Sequence, residues 1–449
     1  MNPEGVILVM FSSIIVLMLT GTPMALGLGF ISIVSSIFVW GPDALPMIAL
    51  RAVASCNYVF LAIPFFIFTG AVVEKAGFGD DAYRAVYNWL GFLKGGLAAA
   101  TVFICTVFAA MTGVSSAATV AMGLVALPPM LKLKYDKEIS MGCIQAGGAL
   151  GILIPPSLTF VIIGVVGELS VGKLFAGGVF CGLLLSGLFV VYILVRCFFQ
   201  PRLGPAAPLM ERKPLKERVT LLKGMIPLFA IIVVILGPIF GGVSTITEAA
   251  ALGGIGSIVL AALLKRLNWK LLIEATERTF VLSCMIVWII IGASAFAGIF
   301  AGSGVHQFFS ELISGAELNR WVVVIIMMVI LLILGCFVET TAIIMITLPL
   351  FLPIIKNLGF DPIWFGVIFV MDMEMGFLTP PFGYNLFYMK GVVESLQSSV
   401  PEARDITIID IYKSVWPFVI LQGIGLAIVM KYPQIVLWLP NLIFGIGGR

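Results

Sequence analysis

Two Pro-Pro pairs that interrupt apolar segments are the features of this sequence best able to do chemistry. The first lies in residues 151–157, Gly-Ile-Leu-Ile-Pro-Pro-Ser, and the second in residues 376–382, Gly-Phe-Leu-Thr-Pro-Pro-Phe. Because proline lacks a backbone donor and clashes with the preceding turn, each segment is predicted to be a discontinuous helix with an unwound joint. A bilayer tolerates such a joint only where protein, water or a bound ion pairs with its backbone. A matched pair of joints therefore indicates the binding site of a transporter.

Broken helix ends offer two kinds of binding site. Carbonyl groups at the C-terminal ends of half-helices suit a hard cation such as Na⁺, and N–H groups at their N-terminal ends suit a carboxylate. Polar side chains at the joints and at two predicted hairpin tips can serve either ligand: Ser115, Ser116, Ser157, Thr159, Thr340, Thr341, Thr379 and Asn385. The alternative is that these side chains bond to their own helical turn or join neighbouring helices.

Three acidic residues stand in apolar surroundings: Glu339, Asp372 and Glu374. Ionisable groups at membrane depth are costly, so they are functional candidates, as cation ligands, proton carriers or partners of the joint. Glu248 lies near a predicted helix end, where capping is the simpler interpretation. His306 is the single histidine and lies in a predicted loop, which argues against a His-based catalytic or metal site. No Walker-type phosphate loop is present in the sequence.

The two joints belong to a longer repeat, since Gly151 and Gly376 are 225 positions apart. At the same spacing, Thr22, Ala25, Gly29 and Ser32 recur as Thr247, Ala250, Gly254 and Ser257, and Pro128, Leu133 and Asp136 recur as Pro353, Leu358 and Asp361. An ungapped register of this length predicts a duplicated fold, with residues 1–223 as the first repeat and residues 224–449 as the second.

Composition places the chain in the membrane. It is 61% hydrophobic and 11% charged, and several apolar runs are long enough to cross a bilayer. The net charge of +3 does not suggest nucleic-acid binding, and the seven cysteines show neither metal-ligand spacing nor a disulfide pattern. The N-terminal apolar run lacks a basic region and a cleavage site, so we expect it to be retained as a span.

Each half is predicted to contain five crossings and one re-entrant hairpin. One segment, residues 94–131, would be about 57 Å long as a single helix, nearly twice the hydrocarbon core of ~30 Å. A break at Gly113 to Ser116 resolves the excess if the chain enters and leaves on one side. The predicted spans are 5–19, 23–40, 60–73 and 171–199, then 225–240, 249–264, 279–300 and 411–430, with broken helices at 139–166 and 362–389 and a second hairpin at 321–355.

An odd number of crossings turns the second repeat upside down, so the halves should be inverted repeats whose hairpins enter from opposite faces. The Lys and Arg residues support this topology, because most of the 26 fall in loops on one side when the N-terminus is placed outside. The segment after Tyr432 is left open and could cross the membrane once more.

At these residues the chain resembles the large membrane subunit of tripartite ATP-independent periplasmic (TRAP) transporters. The most specific matches are residues 151–157 with 172–177, and residues 376–387, which continue past the Pro-Pro pair as Phe-Gly-Tyr-Asn-Leu-Phe. Residues 21–23, 62–66 and 247–251 support the resemblance, which covers nearly the whole chain.

The resemblance implies a function. Such a subunit is a multi-pass protein of the bacterial inner membrane and not an enzyme. It works with a small membrane subunit and a soluble periplasmic substrate-binding protein, and it uses a Na⁺ gradient to import a small organic acid. It is embedded in the lipid bilayer and has no nucleic-acid partner.

The family's mechanism resembles an elevator. Mapped here, residues 60–170 and 280–392 would move against a scaffold of residues 1–59, 171–279 and 393–449. The resemblance implies one Na⁺ site at Gly113, Ser115, Ser116, Gly151, Pro155 and Pro156, and another at Glu339, Thr340, Thr341, Gly376, Thr379 and Pro380. Substrate contacts are expected from Ser157, Thr159, Tyr384 and Asn385. Neither joint contains Arg or Lys, so helix ends and hydroxyls would hold the anion.

Three alternatives remain at this point. A self-sufficient divalent-anion/Na⁺ symporter of similar inverted-repeat design would need no binding protein. A membrane-embedded enzyme would need a nucleophile with a base, or a metal cluster, and only the acids near Asp372 and Glu374 approach that. A purely structural subunit is disfavoured because paired helix breaks are costly.

Overall fold

The computed structural model describes residues 3–20, 22, 24–54, 57–206, 214–304 and 319–445. Twenty α-helices are numbered here in chain order: α1 Pro3–Leu19, α2 Met24–Trp40, α3 Leu45–Ala54, α4 Ala62–Lys75, α5 Phe78–Leu90, α6 Gly96–Thr112, α7 Ser115–Lys132, α8 Lys137–Ala149, α9 Leu158–Val166, α10 Val171–Phe199, α11 Leu215–Leu221, α12 Ile226–Phe240, α13 Ile246–Leu263, α14 Trp269–Gly302, α15 Arg320–Phe337, α16 Thr340–Asn357, α17 Pro362–Leu378, α18 Tyr384–Leu396, α19 Ile408–Lys431 and α20 Gln434–Phe444. Gly21, Pro23, Cys56, residues 207–213 and the single histidine His306 lie outside the described residues.

The described residues contain helices and no strands, and eight of their helices are long and apolar enough to cross a membrane. The predicted all-α polytopic class is therefore confirmed. Most predicted spans agree with the observed helices within a few residues, and α10 agrees at both ends.

The predicted break in the first hairpin segment is present. Helix α6 ends at Thr112 and α7 begins at Ser115, and the two helices pack against each other and against α8. Gly113 has a φ of 62°, a left-handed conformation that glycine adopts without steric cost. The second hairpin segment is likewise divided into α15 and α16, with Val338 and Glu339 between them.

Both Pro-Pro segments are discontinuous. Helix α8 ends at Ala149, a 3₁₀ turn covers Leu150–Ile152, and α9 begins after Ser157. In the second half α17 ends at Leu378 and α18 begins at Tyr384. The Pro155-Pro156 and Pro380-Pro381 peptide bonds are both cis. We call residues 150–157 joint 1 and residues 376–383 joint 2.

Helix boundaries repeat along the chain. Helices α6 to α9 begin at residues 96, 115, 137 and 158, and α15 to α18 begin at 320, 340, 362 and 384. The spacings are therefore 224, 225, 225 and 226 positions, within one residue of the register found in the sequence. The hairpin and the broken helix thus occur twice in the same order, while the inverted relation of the two copies stays a prediction.

Three features differ from, or add to, the predicted helices. Helix α5 was not expected, because its exposed or half-buried positions include Asp80, Asp81 and Arg84 and it has no long apolar run. Helix α14 begins ten positions before the predicted start because Asn268 caps it, accepting from Leu271 N at 2.8 Å. A helix of 34 residues is longer than the hydrocarbon core of a bilayer is thick. The segment after Tyr432 forms α20.

Helix α14 packs on α2, α3 and α4, and α4 also packs on α13. Helix α14 packs as well on α16 of the second hairpin, and α4 on α6 of the first. The hairpins and broken helices pack on one another. Helix α10 packs on α6 and α17, and helix α19 packs on α8 and α17. Helices α10 and α19 belong to the predicted scaffold and pack on helices of the predicted moving part, and the division into these two parts stays a prediction.

Ion pairs connect the α4–α5 corner to the start of α14. Arg278 Nη1 lies 2.6 Å from Glu74 Oε1, and Lys75 Nζ lies 2.7 Å from Glu274 Oε2. Arg266 donates to the carbonyls of Ala76 and Gly77 at 2.9 and 3.2 Å, and also pairs with Asp81 at 2.5 Å. Arg266 thus pairs the carbonyls that a helix end leaves free.

Candidate functional site

A cavity of about 130 Å³ lies where the two hairpin tips meet. Both halves of the chain contribute to it. Its lining consists of Gly113, Val114, Ser115 and Ser116 from tip 1, Glu339, Thr340 and Thr341 from tip 2, Ile152, Leu158, Thr159 and Ile162 around joint 1, Phe377, Tyr384 and Tyr388 around joint 2, and Ile67, Leu282, Met285 and Ile286 from α4 and α14.

Tip 1 is in close contact with joint 1. A Cβ atom built on Gly113 would lie 2.6 Å from the Pro156 carbonyl oxygen, and one built on Gly151 would lie 3.0 Å from the carbonyl of Val114. The Leu158 N–H points at the Gly113 oxygen at 3.5 Å. Because only glycine allows these approaches, the carbonyls of tip and joint are brought together, the oxygen-rich arrangement that a hard cation needs.

The two tips differ in charge. The Glu339 carboxylate caps α16, accepting from Thr341 N at 2.7 Å, Thr341 Oγ1 at 3.0 Å and Ala342 N at 3.4 Å. The equivalent residue of tip 1 is Val114, which gives α7 no side-chain cap. A carboxylate therefore already occupies the helix N-terminus of tip 2, whereas the N-terminus of α7 has no such group.

Asn385 lies outside the cavity lining and joins the two halves instead. Its Oδ1 accepts from Ser115 Oγ at 2.7 Å, and its Nδ2 donates to the Gln145 carbonyl at 3.0 Å. Gln145 Nε2 in turn donates to Ser414 Oγ at 2.9 Å. Gln145 was not predicted; its only signal was a lone amide in an apolar helix.

Ser157 and Thr379 make local hydrogen bonds. The Ser157 hydroxyl donates to the Ile152 carbonyl and accepts from Phe160 N at 3.4 Å, closing joint 1. Thr379 Oγ1 donates to the Met375 carbonyl at 2.8 Å. The alternative of back-bonding, left open from the sequence, thus describes both side chains in this structure. Thr159 and Tyr384 do line the cavity.

Asp372 and Glu374 are buried in α17, away from the cavity lining. Gln422 Nε2 on α19 donates to Glu374 Oε1 at 2.9 Å. Within the described residues Glu374 Oε2, Gln422 Oε1 and Asp372 Oδ2 have no hydrogen-bond partner. Glu248 forms a capping box with Thr245, which confirms the simpler interpretation of that acid.

Among the described residues that line this cavity, Glu339 is the one that carries a charge. The described part of the chain also contains no group of three or more His, Cys, Asp or Glu side chains able to hold a metal ion. A cation here would depend on carbonyls, hydroxyls and this carboxylate. The sequence did not predict that Tyr388 lines the cavity, and its one signal was its position one helical turn after Tyr384. It also did not predict the wall that α14 contributes, which consists of Leu282, Met285 and Ile286.

The family description and the similar proteins all point to the same family of membrane transporters. The family description "Tripartite ATP-independent periplasmic transporter, DctM component" matches residues 11–435. The C4-dicarboxylate TRAP transporter large permease protein DctM of Rhodobacter capsulatus is 32% identical over 97% of this chain and 99% of its own length. The ectoine/5-hydroxyectoine TRAP transporter large permease protein UehC of Ruegeria pomeroyi is 30% identical over 97% of this chain and 98% of its own.

A solved structure shares the fold. The YdaH transporter of Alcanivorax borkumensis, described as having an unusual topology, superposes with a TM-score of 0.64 over 92% of this chain and 98% of that one. At 14% sequence identity this likeness concerns the fold alone.

Proposed function

The chain belongs to the family of DctM components of tripartite ATP-independent periplasmic transporters, and from that premise we propose that it imports a small organic acid by coupling its movement to a Na⁺ gradient. It is a multi-pass protein of the inner membrane and a transporter subunit, not an enzyme. In a tripartite system it works with a periplasmic binding protein, and we propose that a small membrane subunit completes the complex.

One observation carries the proposal. Residues of both hairpin tips and both joints, more than two hundred positions apart, line a single cavity. Paired helix breaks that meet at one site are the arrangement by which transporters bind a solute and a coupling ion. The relatives are named for organic acids, which supports an organic acid as the solute.

We place the coupling ions where tip and joint meet. For the first site the support is the approach of Gly113 and Gly151 to the backbone of the facing segment, with Ser115 and Ser116 beside it. For the second, Gly376 packs on Gly335, where a Cβ would lie 2.9 Å from the facing backbone, and Thr340 and Thr341 are nearby on the lining. Hard cations take such oxygen ligands.

Movement of one body against another is the proposed transport step. The hairpins and broken helices would move together against α1 to α4 and α12 to α14. Because α10 and α19 pack on the hairpin group, we now assign these two helices to the moving body. The wall of Leu282, Met285 and Ile286 on α14 would then be the fixed surface that the site slides past.

The test is uptake of radiolabelled organic acids into proteoliposomes that contain this chain and its small partner subunit. Na⁺ and the soluble binding protein are each included or omitted. Uptake that requires both supports the proposal and identifies the substrate class. Uptake that needs Na⁺ but no soluble protein would make the chain a self-sufficient symporter, and Na⁺-independent uptake would remove the coupling ion.

A further inference from the structure

We propose that Asn385 is a positioning residue of the first ion site. Its side chain accepts the hydrogen of the Ser115 hydroxyl, so that the oxygen of this hydroxyl turns its lone pairs toward a cation at tip 1. The inference rests on the proposed Na⁺ coupling and extends it to a residue outside the cavity. Asn385 would then bind neither the ion nor the substrate, although the sequence made it a candidate substrate contact.

Burial is the first observation about Asn385. Asn385 and Gln145 are fully buried, and Ser115 is 2% exposed. Asn385 Oδ1 lies 2.7 Å from Ser115 Oγ, and Asn385 Nδ2 lies 3.0 Å from the Gln145 carbonyl oxygen. An amide buried with a partner at each end is held in one orientation, because leaving either hydrogen bond unmade would be costly.

The chemistry of the partners sets the direction of the two hydrogen bonds. A main-chain carbonyl oxygen can only accept, so the amide nitrogen of Asn385 must face Gln145 and the amide oxygen must face Ser115. That amide oxygen can only accept in its turn, so the Ser115 hydroxyl must donate its hydrogen to Asn385. The lone pairs of Ser115 Oγ remain for another partner, and Ser115 lines the cavity. A hydroxyl oriented in this way suits a hard cation.

Tip 2 orients a hydroxyl by other means. Thr341 Oγ1 donates to Glu339 Oε1 at 3.0 Å, so the acceptor is a carboxylate of the same tip. In the repeat register the residue of tip 1 that corresponds to Glu339 is Val114, whose side chain contains no acceptor. Asn385, which belongs to the other half of the chain, provides the acceptor at tip 1 instead. At both tips a hydroxyl of the cavity lining thus has its hydrogen taken by a neighbouring oxygen.

The counterpart of Asn385 in the first half lacks the amide. Helices α9 and α18 begin at residues 158 and 384, so Thr159 corresponds to Asn385. Thr340 corresponds to Ser115, and its buried hydroxyl has no hydrogen-bond partner within the described residues. The amide bridge is therefore a feature of tip 1, and we expect the first ion site to depend on it.

A competing role for Asn385 is purely structural. Amides in membrane helices join neighbouring helices, and the bonds to Ser115 and Gln145 would do so with or without an ion. The two roles differ in one respect. Orientation of Ser115 matters only while Ser115 has a hydroxyl, whereas a structural bond to Gln145 acts whether or not Ser115 is changed.

The experiment measures binding of radioactive Na⁺ to the purified complex of this chain with its small subunit, without organic acid. Asn385→Leu removes both polar atoms, so the Na⁺ concentration for half-maximal binding should rise about three- to tenfold, the effect of one lost hydrogen bond. Asn385→Thr introduces the residue type of the corresponding position in the first half and should act in the same direction. Asn357→Ala, at an exposed site of α16, is the matched control and should bind Na⁺ normally.

Pairs of substitutions separate the two roles. In a Ser115→Ala background no hydroxyl is left to orient, so adding Asn385→Leu should change the Na⁺ affinity by less than about twofold. Ser116→Ala removes the neighbouring hydroxyl of the same tip and keeps Ser115, so adding Asn385→Leu should have its full effect there. Melting of each complex without Na⁺ establishes that the variants are folded, and Asn385→Thr replaces Asn385→Leu if the latter is not.

Two results would overturn the inference. If folded Asn385 variants bind Na⁺ as tightly as the unchanged complex, Asn385 has no role at the ion site. If Asn385→Leu has the same effect in the Ser115→Ala and Ser116→Ala backgrounds, its role is structural. Both results leave the proposed transport function standing, because the unchanged complex still binds Na⁺. An unchanged complex that binds no Na⁺ would instead remove the proposed coupling, and the inference with it.

Discussion

Glu374 and Gln422 are two buried side chains, and each leaves one oxygen unpartnered within the described residues. A carboxylic acid whose O–H donates to the amide oxygen would satisfy both atoms and complete a two-bond pair with the amide. An ionised carboxylate at this depth would carry a charge with no cation beside it in the described structure, a costly arrangement. We therefore expect Glu374 to be the neutral partner of Gln422.

Replacing Glu374 by glutamine should then be tolerated. Glu374→Gln preserves the shape and a donor, so we predict Na⁺-dependent uptake within about threefold of the unchanged protein, whereas Glu374→Leu removes Gln422's partner and lowers thermal stability by about 1–3 kcal/mol. Uptake in proteoliposomes and melting of the purified complex measure both effects. More than a tenfold loss of uptake in a well-folded Glu374→Gln variant would mean that the carboxyl group exchanges a proton or binds an ion.

The tip hydroxyls give a second prediction. Ser116→Ala and Thr341→Val each remove an oxygen from the cavity lining, so the Na⁺ concentration for half-maximal uptake should rise about tenfold in either variant. Thr220→Val, at an exposed site of α11, should change nothing. An unchanged Na⁺ dependence in both tip variants would remove the proposed ion sites.

At this scale the sequence singled out tip residues that line the cavity, because a hydroxyl or an acid at a helix break is uncommon. It could not separate side chains that face the cavity from those that face the neighbouring helix. Asn385 and Tyr384 are adjacent, yet one bonds to Ser115 and Gln145 and the other lines the cavity. That distinction depends on helix rotation, which the packing of the whole chain sets.

Elements are held at fixed separations by glycine, and this allows a sharp test of joint 1. In Gly151→Ala the new methyl group would meet the backbone of Val114 and Ser115 at 3.0–3.1 Å, and backbone cannot move aside as a side chain can. We predict at least a tenfold loss of Na⁺-dependent uptake with normal membrane insertion.

The matched control is Gly187→Ala in α10, where a Cβ would meet nothing within 4 Å. This variant should transport normally and gain slightly in stability, since alanine favours the helix. If both alanine variants transport alike, the close contact of tip 1 and joint 1 is not needed for coupling.

The α4–α5 corner gives a prediction about anchoring. Arg266→Leu leaves the carbonyls of Ala76 and Gly77 and the Asp81 carboxylate without this partner, so the melting temperature of the purified complex should fall by several degrees. Lys270→Ala removes a charge that is 86% exposed and should leave the melting temperature unchanged. If the two variants have the same melting temperature, the contacts of Arg266 at this corner do not stabilise the complex.

Elements with a strong local signal were predictable. The Pro-Pro pairs and the Gly113 break predicted discontinuities that the structure confirms, because proline and glycine act on the backbone itself. Helix α5 was not predicted because its apolar residues lie on one face of the helix and form no continuous apolar run in the sequence. Helix α14 was placed too late because four charged residues interrupt the apolar positions of its first ten residues, Trp269 to Arg278.

At the scale of the whole molecule, the division into moving and fixed groups can be tested by cross-linking in a background without native cysteines. A link between Leu282Cys on α14 and Ile162Cys on α9 would tie the fixed wall to the moving body and should abolish uptake until it is reduced. Phe180→Cys and Trp438→Cys replace side chains whose rings lie 5.4 Å apart on α10 and α20. We assign α20, which packs on α10, to the same moving body, so a link between these two cysteines should permit uptake. Uptake that persists with the first link in place excludes the proposed movement.

The repeat was visible in the sequence because its register has no gaps, but the grouping of helices was not. Helices α10 and α19 follow the broken helices in the chain as ordinary apolar spans, and nothing in their composition says which neighbour they bury against. Their packing on α6, α8 and α17 is seen only in the structure, and their assignment to the moving body remains our proposal.

The bond between Ser115 and Asn385 also has a consequence for how the protein is made. Its two residues are 270 positions apart, which a ribosome adding ~5–20 residues per second covers in roughly 14 to 54 s. If the first half enters the bilayer as it is made, the Ser115 hydroxyl and the Gln145 carbonyl lack the Asn385 side chain as a hydrogen-bond partner during that interval. We therefore expect the insertion machinery, or water retained between the helices, to hydrogen-bond these two groups until the second half is inserted.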